Sequence, residues 1–127
     1  MIDRVTVQSL IGKNHLSFYI KCLKSLVRRC YDPINLHIHS DGTLNEFEKE
    51  SLMESFNETP TTVVDTQFNQ EIILDSLEGY PNCQKFRKES IWAVEFFDPL
   101  FANLTDPYSF YIDADILFIK SFKNLFL

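Results

Sequence analysis

The chain has 127 residues, of which 45% are hydrophobic and 24% are charged, a balance typical of one soluble globular domain with a single core. Its net charge of −6 argues against a surface for nucleic acid or anionic membranes, because such surfaces need clustered Lys and Arg. Three cysteines without CxxC spacing favour free thiols in a reducing compartment. The apolar run near the N-terminus is short and interrupted by polar residues, and no apolar run approaches the roughly 20 residues that span a bilayer, so we expect a cytoplasmic protein with no signal peptide and no transmembrane segment.

The N-terminal part of the chain predicts a strand followed by a helix. Arg4–Ile11 has the apolar and β-branched character of a strand. Apolar residues then recur at helical spacing from Leu16 until Asp32-Pro33 ends the pattern. Asn14 precedes this helix and is predicted to cap it.

A second strand, helix and strand are predicted next. Ile34–His39 reads as a short strand, and Thr43 with Glu46 three residues later predicts a capping box that opens a helix over about 44–56. Pro60 ends this helix, and the β-branched run Thr61–Asp65 predicts the third strand.

The second half is predicted to be mainly helical before a last strand. A helix begins near Phe68 and breaks at Gly79-Tyr80-Pro81, a second helix covers about 84–97, and a turn covers 100–104. The apolar run 110–119 then predicts a buried strand. Alternating strands and helices predict an α/β fold: a Rossmann-like, mainly parallel sheet of about four strands flanked by helices.

Polar residues gather where the predicted strands end. Gly12-Lys13-Asn14, Ser40-Asp41-Gly42 and Asp113-Ala114-Asp115 all lie at or near carboxyl ends of strands. Ligands of parallel sheets bind beyond these ends. The three segments therefore predict a binding crevice at one edge of the sheet.

The segment around Asp41 allows three interpretations. His37 and His39 form a His-x-His pattern of the kind found in metal-dependent phosphatases, but only His15 remains elsewhere to supply further ligands. Read as a phosphatase nucleophile loop, the segment places His39 where an aspartate is needed. In the third interpretation Ser40-Asp41-Gly42 is a strand-end loop, in which Asp41 either accepts hydrogen bonds from a bound base or ribose or simply forms the turn.

Two carboxylates interrupt the last apolar run. On a strand, Asp113 and Asp115 would project from the same face, and two like charges in a dry setting need a compensating group. Hard oxygen ligands favour Mg²⁺ or Mn²⁺, and two carboxylates leave coordination positions open for diphosphate oxygens. The alternative is a pair of exposed carboxylates on the rim of the sheet.

These residues lead to a resemblance. The sequence YIDADILFIKSFKNLF at 111–126 resembles the metal-motif stretch of GT-A-fold nucleotide-sugar transferases, and most of all glycosyltransferase family 8, the group of glycogenin and bacterial galactosyl- and glucosyltransferases. INLHIHSDG at 34–42 is similar to the second strand and loop of this family, and KESIW at 88–92 to a K-x-x-x-W element. The matching segments follow one another along essentially the whole chain as they do in the family. Only the metal motif is specific to that family.

The resemblance implies a role for each matching residue. Asp115 would bind Mn²⁺ or Mg²⁺ directly, and Asp113 would reach the metal or the ribose. Asp41 would lie near the base or ribose of the nucleotide. Lys88 would point to the sugar or diphosphate, unless it is an ordinary exposed helix lysine. His15 occupies the place of an aromatic residue that stacks on the nucleobase, with a surface histidine as the alternative.

The implied activity is transfer of a sugar from a nucleotide-diphosphate donor, most simply a UDP-sugar, to an unknown sugar, lipid or protein acceptor. Retention of configuration is implied by family 8 alone, and an inverting enzyme would have a similar first half. Trp92 is predicted to belong to the core rather than to the site.

One departure from the family concerns the C-terminal side of the metal motif. Family members continue well past that motif and take a third metal ligand and the acceptor pocket from the later half, whereas this sequence ends at Leu127. We therefore expect residues 1–127 to form a single nucleotide-sugar-binding domain, truncated relative to the family. The alternative is a non-catalytic nucleotide-binding or interaction domain, whose apolar end at 122–127 needs a partner or a second copy to cover it.

Overall fold

Strands and helices alternate along residues 4–102 and 108–126, the part of the chain that the computed structural model describes. The strands are β1 (Val5–Ile11), β2 (Ile34–Ser40), β3 (Thr61–Asp65) and β4 (Ser109–Tyr111). The helices are α1 (Leu16–Arg29), α2 (Glu46–Glu54), α3 (Thr66–Ser76), α4 (Pro81–Glu89) and α5 (Ile91–Phe101). None of the helices in these ranges has the length and apolar character that crossing a bilayer requires.

The four strands form one parallel sheet in the order β3-β2-β1-β4. The predicted α/β fold with a Rossmann-like parallel sheet is confirmed. Ile11 pairs with Ser40, and Ser40 pairs with Asp65, so three strands end side by side. The loops that follow them lie at the same edge of the sheet.

Helices cover both faces of the sheet. Odd-numbered apolar residues of β1, such as Val5 and Val7, pack with α1 and α2, where Leu26 and Leu52 are completely buried. The other face, which carries Gln8, packs against α5 and the helices beside it. This two-sided cover explains why β1 and β2 are almost continuously buried.

An ion pair is buried in the layer formed by α3, α4 and α5. The guanidinium of Arg87 donates to both carboxylate oxygens of Asp98, at 2.7 and 3.0 Å, and to the carbonyl oxygen of Thr66 at 3.0 Å. Only 3% of the Arg87 side chain and none of the Asp98 side chain is exposed. The pair therefore links all three helices of this layer.

Two predicted helix caps are wrong. His15, in a left-handed conformation with φ 62°, precedes α1 and makes no capping bond with its side chain, so Asn14 is not the cap. Helix α2 is capped by Asn45, whose side chain accepts a hydrogen bond from the Glu48 amide at 2.8 Å. Thr43 instead hydrogen-bonds Asp41 and the backbone of Lys13.

The predicted helices of the second half also need correction. The helix expected over 84–97 is two helices, because the chain turns at Ser90, whose side chain accepts from the Trp92 amide at 3.2 Å and starts α5. Pro99 lies inside α5, so the helix continues into the stretch where a turn is predicted. Residues 103 and 104 of that stretch lie outside the described residues.

The predicted strand over 110–119 is the largest error. β4 ends at Tyr111, and the residues beyond Ile112, whose amide still bonds to β1, run irregularly along α1. The amide of Phe118 donates to Ser25 Oγ at 2.9 Å, and the amide of Phe122 donates to the Arg29 carbonyl at 2.8 Å. Ile112 and Phe118 pack on the core beside α1, whereas Ile116, Leu117 and Ile119 are exposed. Hydrophobicity alone does not distinguish such a run from a buried strand.

The apolar C-terminal segment is covered in part by the chain itself. The ring of Phe126 is 5% exposed, and its centroid lies 5.2 Å from that of Phe110 and 6.4 Å from that of Phe122. Leu125 of the same segment is 57% exposed, so the expectation that segment 122–127 needs a partner or a second copy to cover it stays a prediction. Leu127 lies outside the described residues, and a homo-oligomer stays a prediction.

Candidate acidic cleft at the end of the sheet

The backbone of β1 fixes the point at which the acidic pair leaves the sheet. The Ile112 amide donates to the Gln8 carbonyl at 3.0 Å, and Ser9 Oγ donates to the Ile112 carbonyl at 2.8 Å. Beyond Ile112 the chain turns, with Ala114 buried and Asp113 and Asp115 exposed on either side of it. The pair thus lies just past the carboxyl end of β4, on a turn rather than on the predicted buried strand.

Glu95 of α5 is a third carboxyl group at this place. A hydrogen bond joins its carboxyl group to that of Asp113 when one of the two carries a proton, and the Tyr111 hydroxyl donates to its Oε1 at 3.0 Å. Burial raises the pKa of Glu95, and the hydrogen bond to Asp113 and the charges of Asp113 and Asp115 act in the same direction. The three carboxyl groups are therefore electrostatically linked.

Tyr111 fixes the position of Glu95. Burial, followed by the neighbouring Glu95 carboxylate, raises the pKa of the Tyr111 phenol well above its usual range. The hydroxyl therefore keeps its proton and acts as a hydrogen-bond donor to Glu95. Glu95 is held from one side by Tyr111 and from the other by Asp113.

The carboxyl groups line an open cleft of about 300 Å³ with aromatic walls. Its lining residues are Leu10, Tyr19, Trp92, Glu95, Tyr111, Asp113, Ala114 and Asp115. The indole of Trp92 is 72% exposed, so its predicted place in the core is wrong. A cleft with acidic groups and flat rings suits a ligand that combines a cation with a ring system.

The donors of the cleft fit a hard divalent cation only in part. Carboxylate oxygens are the ligands preferred by Mg²⁺ and Mn²⁺, and a cation would offset the charges of Asp113 and Asp115, which add to the effect of burial in raising the pKa of Glu95. Within residues 4–102 and 108–126, however, no three His, Cys, Asp or Glu side chains are placed to hold a metal together. A cation bound by Asp113 and Asp115 would keep open positions for ligand oxygens or water.

Asp41 lies at the end of β2, and its side chain forms a turn. Oδ1 accepts from the Thr43 amide at 2.9 Å and from the Thr43 hydroxyl at 2.6 Å. The turn-forming alternative is thus present, and Asp41 does not line the cleft. Its role in binding a base or ribose stays a prediction.

Gly12 is the residue that leaves room for this turn. A Cβ atom at Gly12 would stand 2.7 Å from Asp41 Cγ and closer still to Oδ2. We expect Gly12→Ala to turn the carboxylate away and to break its two bonds to Thr43, lowering the free energy of unfolding by about 1–3 kcal/mol. Urea unfolding measures this change. In an Asp41→Ala background the cost should largely disappear, and an equal cost in both backgrounds would contradict the explanation.

Two further predicted binding residues lie outside the cleft lining. His15 is exposed and makes an edge contact with Tyr19, a lining residue, with ring centroids 6.5 Å apart. Lys88 is exposed on α4 and does not line the cleft. Their contacts with a nucleotide stay predictions.

The cleft residues that sequence reasoning missed are Glu95, Tyr111 as its donor, and Trp92. No spacing along the chain relates Glu95 to Asp113, because they meet only through the packing of α5 beside β1 and β4. The one available signal was that Glu95 is a lone charge in the apolar run from Ile91 to Phe97.

Comparison with known proteins adds no assignment. No protein-family model matches this chain, and no curated protein matches it. The resemblance to family 8 therefore stays an expectation drawn from the motif.

Proposed function

We propose that this chain is the nucleotide-sugar-binding domain of a metal-dependent, cytoplasmic glycosyltransferase that uses a UDP-sugar donor. The observation that carries the proposal is the position of Asp113 and Asp115 beyond the carboxyl end of a parallel strand, in a cleft with aromatic walls. Ligands of parallel sheets occupy this position. The motif resemblance at 111–126 supports the same donor class.

Each cleft residue has a part in this proposal. Asp113 and Asp115 would hold Mn²⁺ or Mg²⁺, which when bound neutralises negative charge on the diphosphate leaving group. Glu95 and Tyr111 would orient Asp113 through their hydrogen-bond chain. The rings of Tyr19 and Trp92 offer flat surfaces against which a base or sugar would pack.

A second candidate is nucleotide binding without catalysis. It is favoured by the finding that no group of three metal-ligating side chains is assembled in residues 4–102 and 108–126. Such a domain would bind the donor through the same cleft without turning it over. Release of UDP during incubation with a panel of UDP-sugars and Mn²⁺ separates the candidates, because only a transferase or a slow hydrolase releases it.

Calorimetric titration with UDP tests the shared part of both candidates. We expect binding in the presence of Mn²⁺ and little binding with a chelator. Asp115→Ala should weaken the Mn²⁺-dependent binding by at least about 10-fold, the lower bound for losing even an outer partner of a metal site. Asp75→Ala, which removes an exposed carboxylate of α3, is the matched control and should bind as the wild type does.

Two results would refute the proposal. One is a folded wild-type protein that binds no UDP with or without Mn²⁺. The other is binding that is the same in Asp115→Ala and in the wild type.

A further inference from the structure

Two histidines lie next to each other on strand β2, away from the acidic cleft. His37 and His39 are two residues apart on β2, so both side chains project from one face. Their ring centroids are 4.8 Å apart. His39 is 1% exposed, and His37 is half-buried. Neither residue has a part in the acidic cleft.

The hydrogen bonds of Gln8 determine which nitrogen of His39 carries the proton. Gln8 Nε2 donates to the Pro99 carbonyl at 3.1 Å and also contacts Ser109 Oγ at 3.1 Å. Since a carbonyl only accepts, the amide nitrogen of Gln8 must face Pro99, and its oxygen faces His39. Gln8 Oε1 lies 2.7 Å from His39 Nε2 and can only accept, so Nε2 carries the hydrogen.

The other ring nitrogen of His39, Nδ1, consequently carries no hydrogen and can only accept a hydrogen bond or bind a metal. Burial favours the neutral imidazole, in which only one nitrogen is protonated. His39 Nδ1 is buried and has no hydrogen-bond partner among the described residues. A buried acceptor left without a partner costs about 1–3 kcal/mol, so its retention calls for an explanation.

A transition-metal ion is a partner that matches this arrangement. A histidine that ligates a metal typically donates its other ring hydrogen to an oxygen, as His39 does to Gln8. His37 supplies a second imidazole, and it borders a cavity of about 190 Å³ that Asn69 also lines. The cavity has room for water ligands beside His37, although His39 is not among the residues that line it, and Asp98 on its wall is already bonded to Arg87.

We propose that His37 and His39 form a second cation site, separate from the acidic cleft, which takes a zinc-class divalent transition ion. His39 would bind the ion through Nδ1, and His37 would bind it after rotation of its half-buried ring. Water would fill the remaining coordination positions. Imidazole selects Zn²⁺, Ni²⁺ or Cu²⁺ and disfavours Mg²⁺ and Mn²⁺, which are expected at carboxylates. The two sites would therefore differ in the metals that they accept.

Nitrogen NMR of histidine-labelled protein tests this site directly. In metal-free protein we expect His39 to carry its hydrogen on Nε2 and to show an unprotonated Nδ1. One equivalent of Zn²⁺ should shift the His39 Nδ1 signal and a nitrogen signal of His37, while Mg²⁺ should leave both unchanged. Because imidazole signals are read individually, binding of Zn²⁺ at the free thiols or at the carboxylates does not imitate this result.

Matched variants complete the test. His37→Asn should weaken the Zn²⁺-induced shift of His39 by at least about 10-fold in apparent affinity, and it leaves the buried His39–Gln8 bond in place. His15→Asn, at an exposed position, should change nothing. The proposal is overturned if metal-free His39 carries its hydrogen on Nδ1, if Zn²⁺ shifts neither ring, or if His37→Asn has no effect.

Discussion

Replacing Arg87 with Met is expected to lower the free energy of unfolding by about 3–5 kcal/mol, the range for removing one partner of a buried ion pair. The substitution leaves the carboxylate of Asp98, whose side chain is fully buried, without its two hydrogen bonds. It also removes the donor to the Thr66 carbonyl. Since typical domains are stable by only about 5–15 kcal/mol, urea unfolding should show a protein near the limit of folding.

Two variants separate the ion pair from other effects of the substitution. Lys88→Met changes the next residue of α4, which is exposed, and should alter stability by no more than about 0.5 kcal/mol. The double variant Arg87→Met/Asp98→Leu removes both charges and should recover most of the loss. Equal stabilities for Arg87→Met and Lys88→Met would show that the pair does not hold the helices together.

Acidification from pH 6.5 to 4 is expected to cost about 3 kcal/mol of stability through His39 alone. Burial, followed by the charge of His37, lowers the pKa of His39 from 6.5 to about 4 in the folded protein. Between these values the unfolded chain binds a proton that the folded chain does not. The stabilising contribution is therefore complete above pH 6.5 and is lost as the pH falls toward 4.

Urea midpoints measured between pH 7 and pH 4 in the presence of a chelator check this prediction. His39→Gln removes the titrating ring and should flatten the pH dependence in this interval, whatever its stability at pH 7. His15→Gln, which removes an exposed ring, should keep the wild-type slope. His37, whose pKa burial also lowers, adds to the slope in the same direction. If His39→Gln and the wild type lose stability in parallel, His39 is not the group responsible.

The sequence predicted most of the regular structure because its strands and helices have strong local signals. β-branched runs placed β3 at the observed residues and β1 and β2 within one residue at each end. The turn at Ser90 was missed because it contains neither Gly nor Pro, and only the serine cap marks it. Residues 112–119 were assigned to a strand because an apolar run does not show whether its residues lie in a sheet, pack beside a helix as Ile112 and Phe118 do, or are exposed as Leu117 and Ile119 are.

The sequence predicted two of the acidic residues of the cleft but not the residues that packing brings to them. Asp113 and Asp115 interrupt an apolar run and are therefore conspicuous in the sequence, and the turn beyond β4 places them at the expected edge of the sheet. Glu95 reaches Asp113 through the packing of α5, and Trp92 is exposed because it precedes the buried part of that helix. Contacts made by tertiary packing do not produce a residue spacing that can be recognised in a single sequence.

The position of β1 between β2 and β4 has a consequence for synthesis of the chain. β1 pairs Thr6 with Asn35 on one side and with Ser109 on the other, so its two partners emerge from the ribosome at very different times. Until β4 appears, one edge of the first strand stays open, and open edges invite pairing between chains. Distant parallel pairing is also slow to form. We expect the nascent chain to depend on protection by chaperones over this interval and to refold slowly on dilution from denaturant.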